Sequence, residues 1–313
     1  MHNNSSSGVQ SRTISIVSCI VLSEAMIIVV ANTLALAVFL RKTFRIKKSN
    51  YLLLNLTVAD LLVGLSLIVS ETDEVASFKS GVFKTTCTLF NVISTDGSLF
   101  SFTGIAIERA YAVLAPLKHR LLGNKPYIIV IFLVWVAASV VNLGVIIILI
   151  NEQAIGSILV NLKMAVTFIS LVVVFLCYLA IWIKVKFDKS LPNGRQAKRS
   201  TKLTFTLFIV TLVSLVCYLP TITLVVLHID WLHKDGTRKL FYPVLVLLYA
   251  NSFVNFIIYS VRMPEFKKEL FKIFRNFLPL CAQSSQEEFP SYLQHMESRG
   301  QPSLIMVNMV RSS

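Results

Sequence analysis

Seven long apolar stretches constrain this chain more than any other feature of its sequence. Each is close to the roughly 20 residues that a helix needs to cross a bilayer core about 30 Å thick. Hydrophobic residues make up 55% of the 313 residues and charged residues only 15%, which is more apolar than a soluble domain requires. We therefore predict an all-α membrane protein, a bundle of seven transmembrane helices. The spans are predicted at residues 16–40, 51–71, 86–112, 128–150, 158–183, 203–227 and 240–261.

Basic residues between the spans predict the orientation of the chain. The segments after the first, third and fifth spans carry fifteen of them, against six on the opposite side. By the positive-inside rule, the amino terminus lies outside the plasma membrane. We expect no cleavable signal peptide, so the first span would direct insertion. The net charge of +14 lies beside the spans, which favours membrane lipid and an intracellular partner over nucleic acid.

The predicted organisation is one helical bundle with short flanking segments. Residues 1–15 form an extracellular tail, and residues 16–261 form the bundle. Residues 262–280 form a short amphipathic juxtamembrane helix, in which apolar residues recur at helical spacing opposite lysine and arginine. That pattern is typical of a helix lying on the membrane surface. Residues 281–313 are polar and predicted to be a disordered cytoplasmic tail.

Two kinds of covalent modification are predicted. Asn3 and Asn4 each begin an Asn-x-Ser sequon in the extracellular tail and are candidate glycosylation sites. Cys281 follows the amphipathic helix and is either a palmitoylation site or a free thiol. The five cysteines have neither a zinc-ligand spacing nor a disulfide framework. Only Cys19 and Cys87 lie near the outside, where oxidising conditions would let them pair.

Ionisable side chains inside the spans are the first functional candidates. Each is costly unless it faces the bundle interior and finds a partner there. Asp60, with amides and hydroxyls on other spans, supplies the oxygen ligands that hard cations favour. The alternative is a buried hydrogen-bonded network that only holds the helices together. The ionisable candidates are Glu24, Asp60, Asp96, Arg109 and Lys163.

Several short motifs follow one another through the predicted helices in a fixed order. A single motif of this kind is common, but their joint pattern over roughly residues 20–275 resembles the signature of rhodopsin-like (class A) G-protein-coupled receptors. The resemblance implies a receptor that binds an extracellular peptide, lipid or small molecule and activates a heterotrimeric G protein by rearranging its helices. The motifs are Asn32, LTVAD ending at Asp60, Ser98, ERAY at Glu108 to Tyr111, Trp135, CYLP at Cys217 to Pro220, NFIIY at Asn255 to Tyr259, and Phe266.

The resemblance also assigns roles to individual residues. Glu108 and Arg109 correspond to the acid and arginine of the D/E-R-Y motif, in which the carboxylate holds the arginine until it turns toward the G protein. Tyr178 and Tyr259 correspond to tyrosines that meet near that arginine after activation. No cofactor is expected, but an allosteric sodium ion is implied. The implied sodium site is Asp60, Ser98, Asn251, Ser252 and Asn255.

The chain departs from the family pattern at several positions. Ala110 stands in place of the motif's tyrosine, although the charge pair before it is intact. Tyr218 replaces the toggle tryptophan, Phe256 the proline of NPxxY, and Ser170 the usual proline of the fifth helix. We expect the helices to lose the kinks that proline supplies. Lys84 lies where a cysteine is usual, so the family's disulfide is expected to be absent.

The class of ligand is constrained by residues in the predicted outer half of the bundle. Asn91 stands where the family's amine-binding aspartate would be, and Tyr249 where the retinal-binding lysine would be, which disfavours both ligands. Asp96 and Lys163 either form an internal pair, which we favour, or leave the lysine to receive an anionic ligand or to reach the headgroups. The predicted ligand pocket is Asn91, Asp96, Lys163, Tyr218 and Tyr249.

Three acidic residues, Glu71, Asp73 and Glu74, lie where the second span leaves the membrane. They either draw a cationic ligand toward the pocket or form an ordinary solvated loop.

A small ion or solute transporter is the main alternative function, because ionisable residues in membranes also mark ion pathways. It is disfavoured, since the chain has no repeat of Gly/Pro-interrupted helices. An enzyme is disfavoured as well, because no nucleophile, base and orienting group recur at a catalytic spacing.

Overall fold

Helices account for nearly all of the chain that the structure describes, and no strand occurs in that part. The structure is a computed structural model, and the all-helical membrane fold predicted from the sequence is confirmed. Backbone is described for residues 4–45, 48, 50–76, 81–149, 153–187, 212–224 and 235–287.

The helices follow the predicted spans in order. α1, α3, α4, α8, α9 and α10 fall on the first, second, third, fifth, sixth and seventh spans, and α6 with α7 falls on the fourth. The bounds are α1 Asn4–Phe39, α2 Lys42–Arg45, α3 Asn50–Ala76, α4 Gly81–Leu114, α5 Pro116–Leu121, α6 Lys125–Val141, α7 Leu143–Leu149, α8 Gln153–Phe187, α9 Leu212–Leu224, α10 Asp235–Arg262 and α11 Pro264–Glu287.

Five segments of the described chain are long and apolar enough to cross a membrane. α4 is not among them, because serine, threonine and asparagine residues along its length, together with Asp96, lower its hydropathy. Only part of the sixth predicted span is described, as α9. Large apolar side chains on these helices are exposed, as with Phe132 at 66%, which suits a surface that faces lipid. The five segments are Val17–Phe39, Asn50–Glu71, Lys125–Ile147, Ile158–Phe187 and Pro243–Arg262.

The fourth predicted span, 128–150, is not one continuous helix. α6 ends at Val141 and α7 begins at Leu143, with Asn142 between them at φ −92° and ψ 2°. The Asn142 side-chain nitrogen donates to the Ala138 carbonyl at 2.8 Å and to Asp96 Oδ2 at 2.6 Å. Such a polar side chain competes with the backbone for hydrogen bonds, which explains the interruption.

The outer boundaries of the helices also differ from the prediction. α1 begins at Asn4, so the helix extends into the predicted extracellular tail of residues 1–15. No proline interrupts that segment, and a helix propagates from an established span more easily than it starts anew. α11 continues to Glu287, so residues 281–287 of the predicted disordered tail are helical. That stretch contains no glycine or proline to end the helix.

Two glycines let helices approach closely. A Cβ atom at Gly64 on α3 would lie 2.8 Å from Ile28 Cγ2 and 2.9 Å from Val29 Cγ2 on α1. A Cβ atom at Gly144 on α7 would lie 2.6 Å from Leu159 Cβ on α8. Both distances are too short for any larger residue unless the neighbouring atoms shift. The close packing of α1 on α3 brings the polar residues of these two helices into one interior.

Five aromatic rings join one end of α1 and α10 to α2 and the first turn of α11. Phe266 is completely buried and contacts Phe39, Phe256 and Tyr259 with ring centroids 5.4, 5.9 and 5.8 Å away. Phe44 on α2 completes the cluster, 5.5 Å from Phe39. Phe256, which stands where the family has proline, is therefore a packing residue within an unbroken α10. Aromatic burial of this kind is a large apolar contribution to stability.

The chain divides into two compact units after Lys267, within the first turns of α11. The first unit contains the helices of the bundle. In the second unit, Lys272 Nζ lies 2.8 Å from Glu269 Oε1, an ion pair one turn apart on the same helix. The assignment of residues 262–280 to a membrane-surface helix stays a prediction.

Candidate functional site

Asp60 on α3 is completely buried and joins three helices. Ser98 on α4 donates its hydroxyl to Asp60 Oδ1 at 2.6 Å, and Asn255 on α10 donates its side-chain amide to Oδ2 at 3.0 Å. Asn32 on α1 donates to the backbone carbonyl of Ser252 on α10 at 3.0 Å. The structure thus brings residues from all four predicted helices into one polar network.

A separate buried hydrogen bond joins α9 to α10 at Asn251, next to Ser252. Ser214 donates its hydroxyl to Asn251 Oδ1 at 2.8 Å, and both side chains are buried. The side chains implied as sodium ligands, Asp60 with Ser98, Asn251, Ser252 and Asn255, are all buried and all carry an oxygen atom. This donor set fits a hard monovalent cation. Both Asp60 oxygens also accept hydrogen bonds from the protein, so the helix-joining alternative fits the same geometry.

Glu108 on α4 contacts three side chains at the end of the bundle where α5 and α6 begin. Arg109 Nε lies 3.2 Å from Glu108 Oε2, and His119 Nε2 on α5 lies 2.8 Å from Oε1. The Tyr127 hydroxyl on α6 donates to the same oxygen at 3.4 Å. The Glu108 side chain is 9% exposed and the Arg109 side chain is 28% exposed. The acid is therefore nearly buried, and the arginine that it binds is partly accessible to solvent.

The two predicted switch tyrosines are both buried. Tyr178 on α8 packs among apolar side chains that include Phe102 and Ile258. The Tyr259 ring on α10 lies 5.5 Å from Phe39, at the edge of the aromatic cluster. Their roles in activation remain predictions.

Asp96 forms a three-residue polar network with Lys163 and Asn142. Lys163 Nζ on α8 lies 2.9 Å from Asp96 Oδ2 and donates to Asn142 Oδ1 at 2.7 Å. Asn142 donates to the same Asp96 oxygen at 2.6 Å. The internal pair is therefore formed, and the lysine side chain is only 11% exposed. With its ammonium held by two partners, Lys163 neither extends to headgroups nor stands open to an anionic ligand in this structure.

The order of the helices and these three polar groups fit one protein family. Residues 31–259 match the family described as "7 transmembrane receptor (rhodopsin family)", which is well over half of the chain. This chain belongs to the rhodopsin family of seven-transmembrane receptors. Membership shows a multi-pass plasma-membrane receptor that couples to a G protein, and it supports neither an enzyme nor a transporter.

The receptor is similar to several others along most of its length. Rat somatostatin receptor type 5 is 27% identical over 271 residues, covering 77% of this chain and 73% of that receptor. Rat somatostatin receptor type 4 is 26% identical over 317 residues, covering 92% and 81%. The QRFP-like peptide receptor of Branchiostoma floridae is 24% identical over 299 residues, covering 84% and 78%.

A cavity of about 210 Å³ between α1, α3, α4 and α10 contains two of the predicted pocket residues. The Tyr249 hydroxyl on α10 donates to Asn91 Oδ1 on α4 at 3.1 Å, and Asn91 donates to the Ser66 hydroxyl on α3 at 2.9 Å. Glu71 also lines this cavity, at the end of the second membrane segment. Polar groups from three helices therefore converge on a small space.

The other predicted pocket residues of the receptor lie elsewhere. Asp96 and Lys163 are engaged in the network with Asn142. Tyr218 on α9 is buried in an apolar cluster with Leu99 and Leu171. The five predicted residues thus do not line one cavity in this structure.

The side chains of the three predicted modification sites lie outside the described part of the chain. Asn3 lies outside the described residues, and the side chains of Asn4 and Cys281 lie outside the described part as well. Cys19 and Cys87 are free thiols, so the pair that the sequence allowed is not formed.

Three partners of Asp96 and Glu108 were not singled out from the sequence. Asn142 could have been found, because it interrupts an apolar run in the same way as the buried acids do. His119 and Tyr127 carry no such signal, since the sequence does not show that α5 returns to the end of α4. Their contact with Glu108 depends on the turn at Ala115, where φ is −132° and ψ 61° before Pro116 begins α5.

We predict strong coupling between Asp96 and Lys163. Lys163→Met leaves a buried carboxylate without its cation, which costs about 3–5 kcal/mol in comparable pairs and should lower surface expression. Adding Asp96→Asn should recover much of that loss, giving a large coupling energy in a double-mutant cycle of thermal stability. Lys186→Met is the control, because it removes an exposed lysine from the same helix.

Additive effects on stability would contradict the internal pair. If Lys163→Met also expressed normally and reduced only the potency of an agonist, the lysine would be a ligand contact.

Proposed function

We propose that this receptor is activated by an extracellular peptide and signals to a heterotrimeric G protein through Arg109. The similar receptors just described carry the names of peptides, somatostatin and a QRFP-like peptide. The basic residues of the chain support an amino terminus outside the cell. In that orientation the cavity that Asn91 and Tyr249 line lies in the outer half of the bundle, on the side from which a peptide would arrive.

The size of this cavity supports a peptide over a compact small molecule. Its volume of about 210 Å³ is below the roughly 300–1,000 Å³ usual for drug-sized ligands. It therefore fits one inserted side chain of a larger ligand. Glu71 adds negative charge to a lining that already offers the Asn91 amide and the Tyr249 hydroxyl. A basic or hydrogen-bonding side chain of the peptide suits that lining best.

Signal transfer would begin when ligand binding favours a second arrangement of the helices. In the present arrangement, Glu108 holds Arg109 and is itself held by His119 and Tyr127. Release of the carboxylate would free the guanidinium for the G protein. Tyr178 and Tyr259 would then meet near Arg109, as the family resemblance implies. The basic residues of α11 would contact anionic lipid of the inner leaflet.

We also propose that the Asp60 network binds sodium in the inactive receptor. Asp60 would supply the charge, and Ser98 with the amides and hydroxyl on α10 would supply neutral oxygen ligands. Bound there, the cation would neutralise a completely buried carboxylate. Loss of the cation would accompany the rearrangement of α4 and α10.

The proposed G-protein role predicts a selective effect at Arg109. A panel of basic peptides should contain an agonist that stimulates G-protein activation in cells expressing the receptor. Arg109→Ala should abolish that response and leave surface expression and peptide binding unchanged, because Arg109 does not line the cavity. Lys125→Ala, which removes another exposed cation at the same end of the bundle, should respond normally. Full signalling by well-expressed Arg109→Ala would refute the proposed role.

The proposed sodium site predicts that agonist affinity depends on sodium. Replacing potassium by sodium at constant ionic strength should weaken agonist binding to the wild type and leave Asp60→Asn unaffected, because the variant lacks the only formal charge of the set. Radioligand competition on membranes measures both affinities. If wild-type affinity is the same in both salts, the network only joins the helices.

A further inference from the structure

Glu24 on α1 is a buried acid that the networks described above do not use. The residue is 7% exposed, and among the described residues it forms no ion pair. Its Oε2 is enclosed by the protein and has no hydrogen-bond partner in the described part of the chain. This contrasts with Asp60, Asp96 and Glu108, each of which has partners from other helices. An unpartnered carboxyl oxygen within a membrane span is costly, so a partner from outside the protein would be stabilising.

Glu24 faces a groove of about 640 Å³ between α1 and α10. On α1 the groove is lined by Ile20, Glu24 and Ile27, which follow one another at intervals of about one helical turn. Ile20 is 49% exposed and Ile27 is 54% exposed. The α10 wall is a matching stripe that includes Ala250 and Phe253. The exposed apolar side chains of the α1 wall indicate that the groove is open to the lipid phase, and the α10 wall is partly buried.

The groove is distinct from the cavity that holds Asn91. Along α10 the two share no residue: Tyr249 lines the cavity, and its neighbour Ala250 lines the groove. Consecutive residues of a helix point to different faces, so the two spaces lie on different sides of α10. The groove therefore offers a site that a peptide in the cavity would not occupy.

The polar and apolar parts of the groove are arranged in order along α1. Cys19, Ser23 and Glu24 lie toward the start of the membrane segment at Val17, and Ile27 lies deeper. At 1.5 Å per residue, Glu24 lies about 10 Å below Val17. An amphiphile with its head toward the near membrane surface and its chain toward the bilayer centre would follow the same order.

We infer that the groove between α1 and α10 binds a single-chain lipid amine, with its ammonium on Glu24 and its alkyl chain along the apolar walls. The ammonium donates a hydrogen bond to the groove side of the Glu24 carboxylate and balances its charge, which a hydroxyl head does not do. The apolar walls exclude water from that contact and strengthen it. A volume of about 640 Å³ is within the range of ordinary ligand sites.

The test uses the purified full-length receptor in phosphatidylcholine nanodiscs. A dodecylamine with a photoreactive group in its chain is the probe, and unlabelled dodecylamine and dodecanol are the competitors. Glu24→Gln keeps the shape of the side chain and removes its charge. Ala250→Phe fills the groove and leaves Glu24 intact. Ala165→Phe makes the same change at an exposed position of α8 and is the matched control.

Saturable labelling should map to the α1 and α10 peptides that line the groove. Dodecylamine should compete and dodecanol should not. Labelling of those peptides should fall at least tenfold in Glu24→Gln and in Ala250→Phe and stay at the wild-type level in Ala165→Phe. Equal competition by dodecanol, or unchanged labelling in Glu24→Gln, would show apolar partitioning only. Equal labelling of the two phenylalanine variants would show that the amine does not use this groove.

Discussion

The requirement that buried polar groups find partners inside the protein determines much of this structure. Lipid offers no hydrogen bonds, so an acid within the bilayer must be satisfied by neighbouring helices. Asp60 accepts hydrogen bonds from side chains on α4 and α10. Asp96 contacts Asn142, which lies between α6 and α7, and a lysine on α8. Glu108 contacts side chains on α5 and α6. Each acid therefore joins its own helix to two others or to their ends, and the partners of Asp60 and Asp96 are distant in sequence. Shifting one of these helices alone would leave a charge without its partners.

This interdependence gives the receptor a physical basis for switching. A few buried networks favour discrete arrangements, because partial displacement leaves polar groups unsatisfied. The network of Asp60 and that of Glu108 both include α4, so a ligand that moves one end of α4 affects both. In the proposed orientation, the partly exposed Arg109 lies at the cytoplasmic end of the bundle. Its access to the G protein depends on whether its ion pair with Glu108 is formed. Rhodopsin-family membership makes G-protein coupling the consequence of that change.

The sequence predicted the helices and the burial of several polar residues within them, because these depend on local pattern. Seven apolar stretches predicted the spans, and isolated acids within them predicted Asp60 and Asp96 as network centres. The residues that contact these buried acids were harder to predict from the sequence. The contact of His119 with Glu108 depends on the turn before α5, and the groove beside Glu24 depends on how α1 packs on α10. Such contacts arise from tertiary packing, which no periodicity in the sequence encodes.

The central claim is that Glu108 keeps Arg109 from the G protein until the helices rearrange. It is tested most directly by nucleotide exchange on a purified G protein with the purified receptor and no ligand. In Glu108→Gln the acid becomes a neutral amide, so the basal rate should rise about fivefold or more, as expected for the loss of roughly 1 kcal/mol. A further Arg109→Ala change should remove the increase. A basal rate equal to or below that of the wild type, in a stably folded Glu108→Gln receptor, would contradict the account.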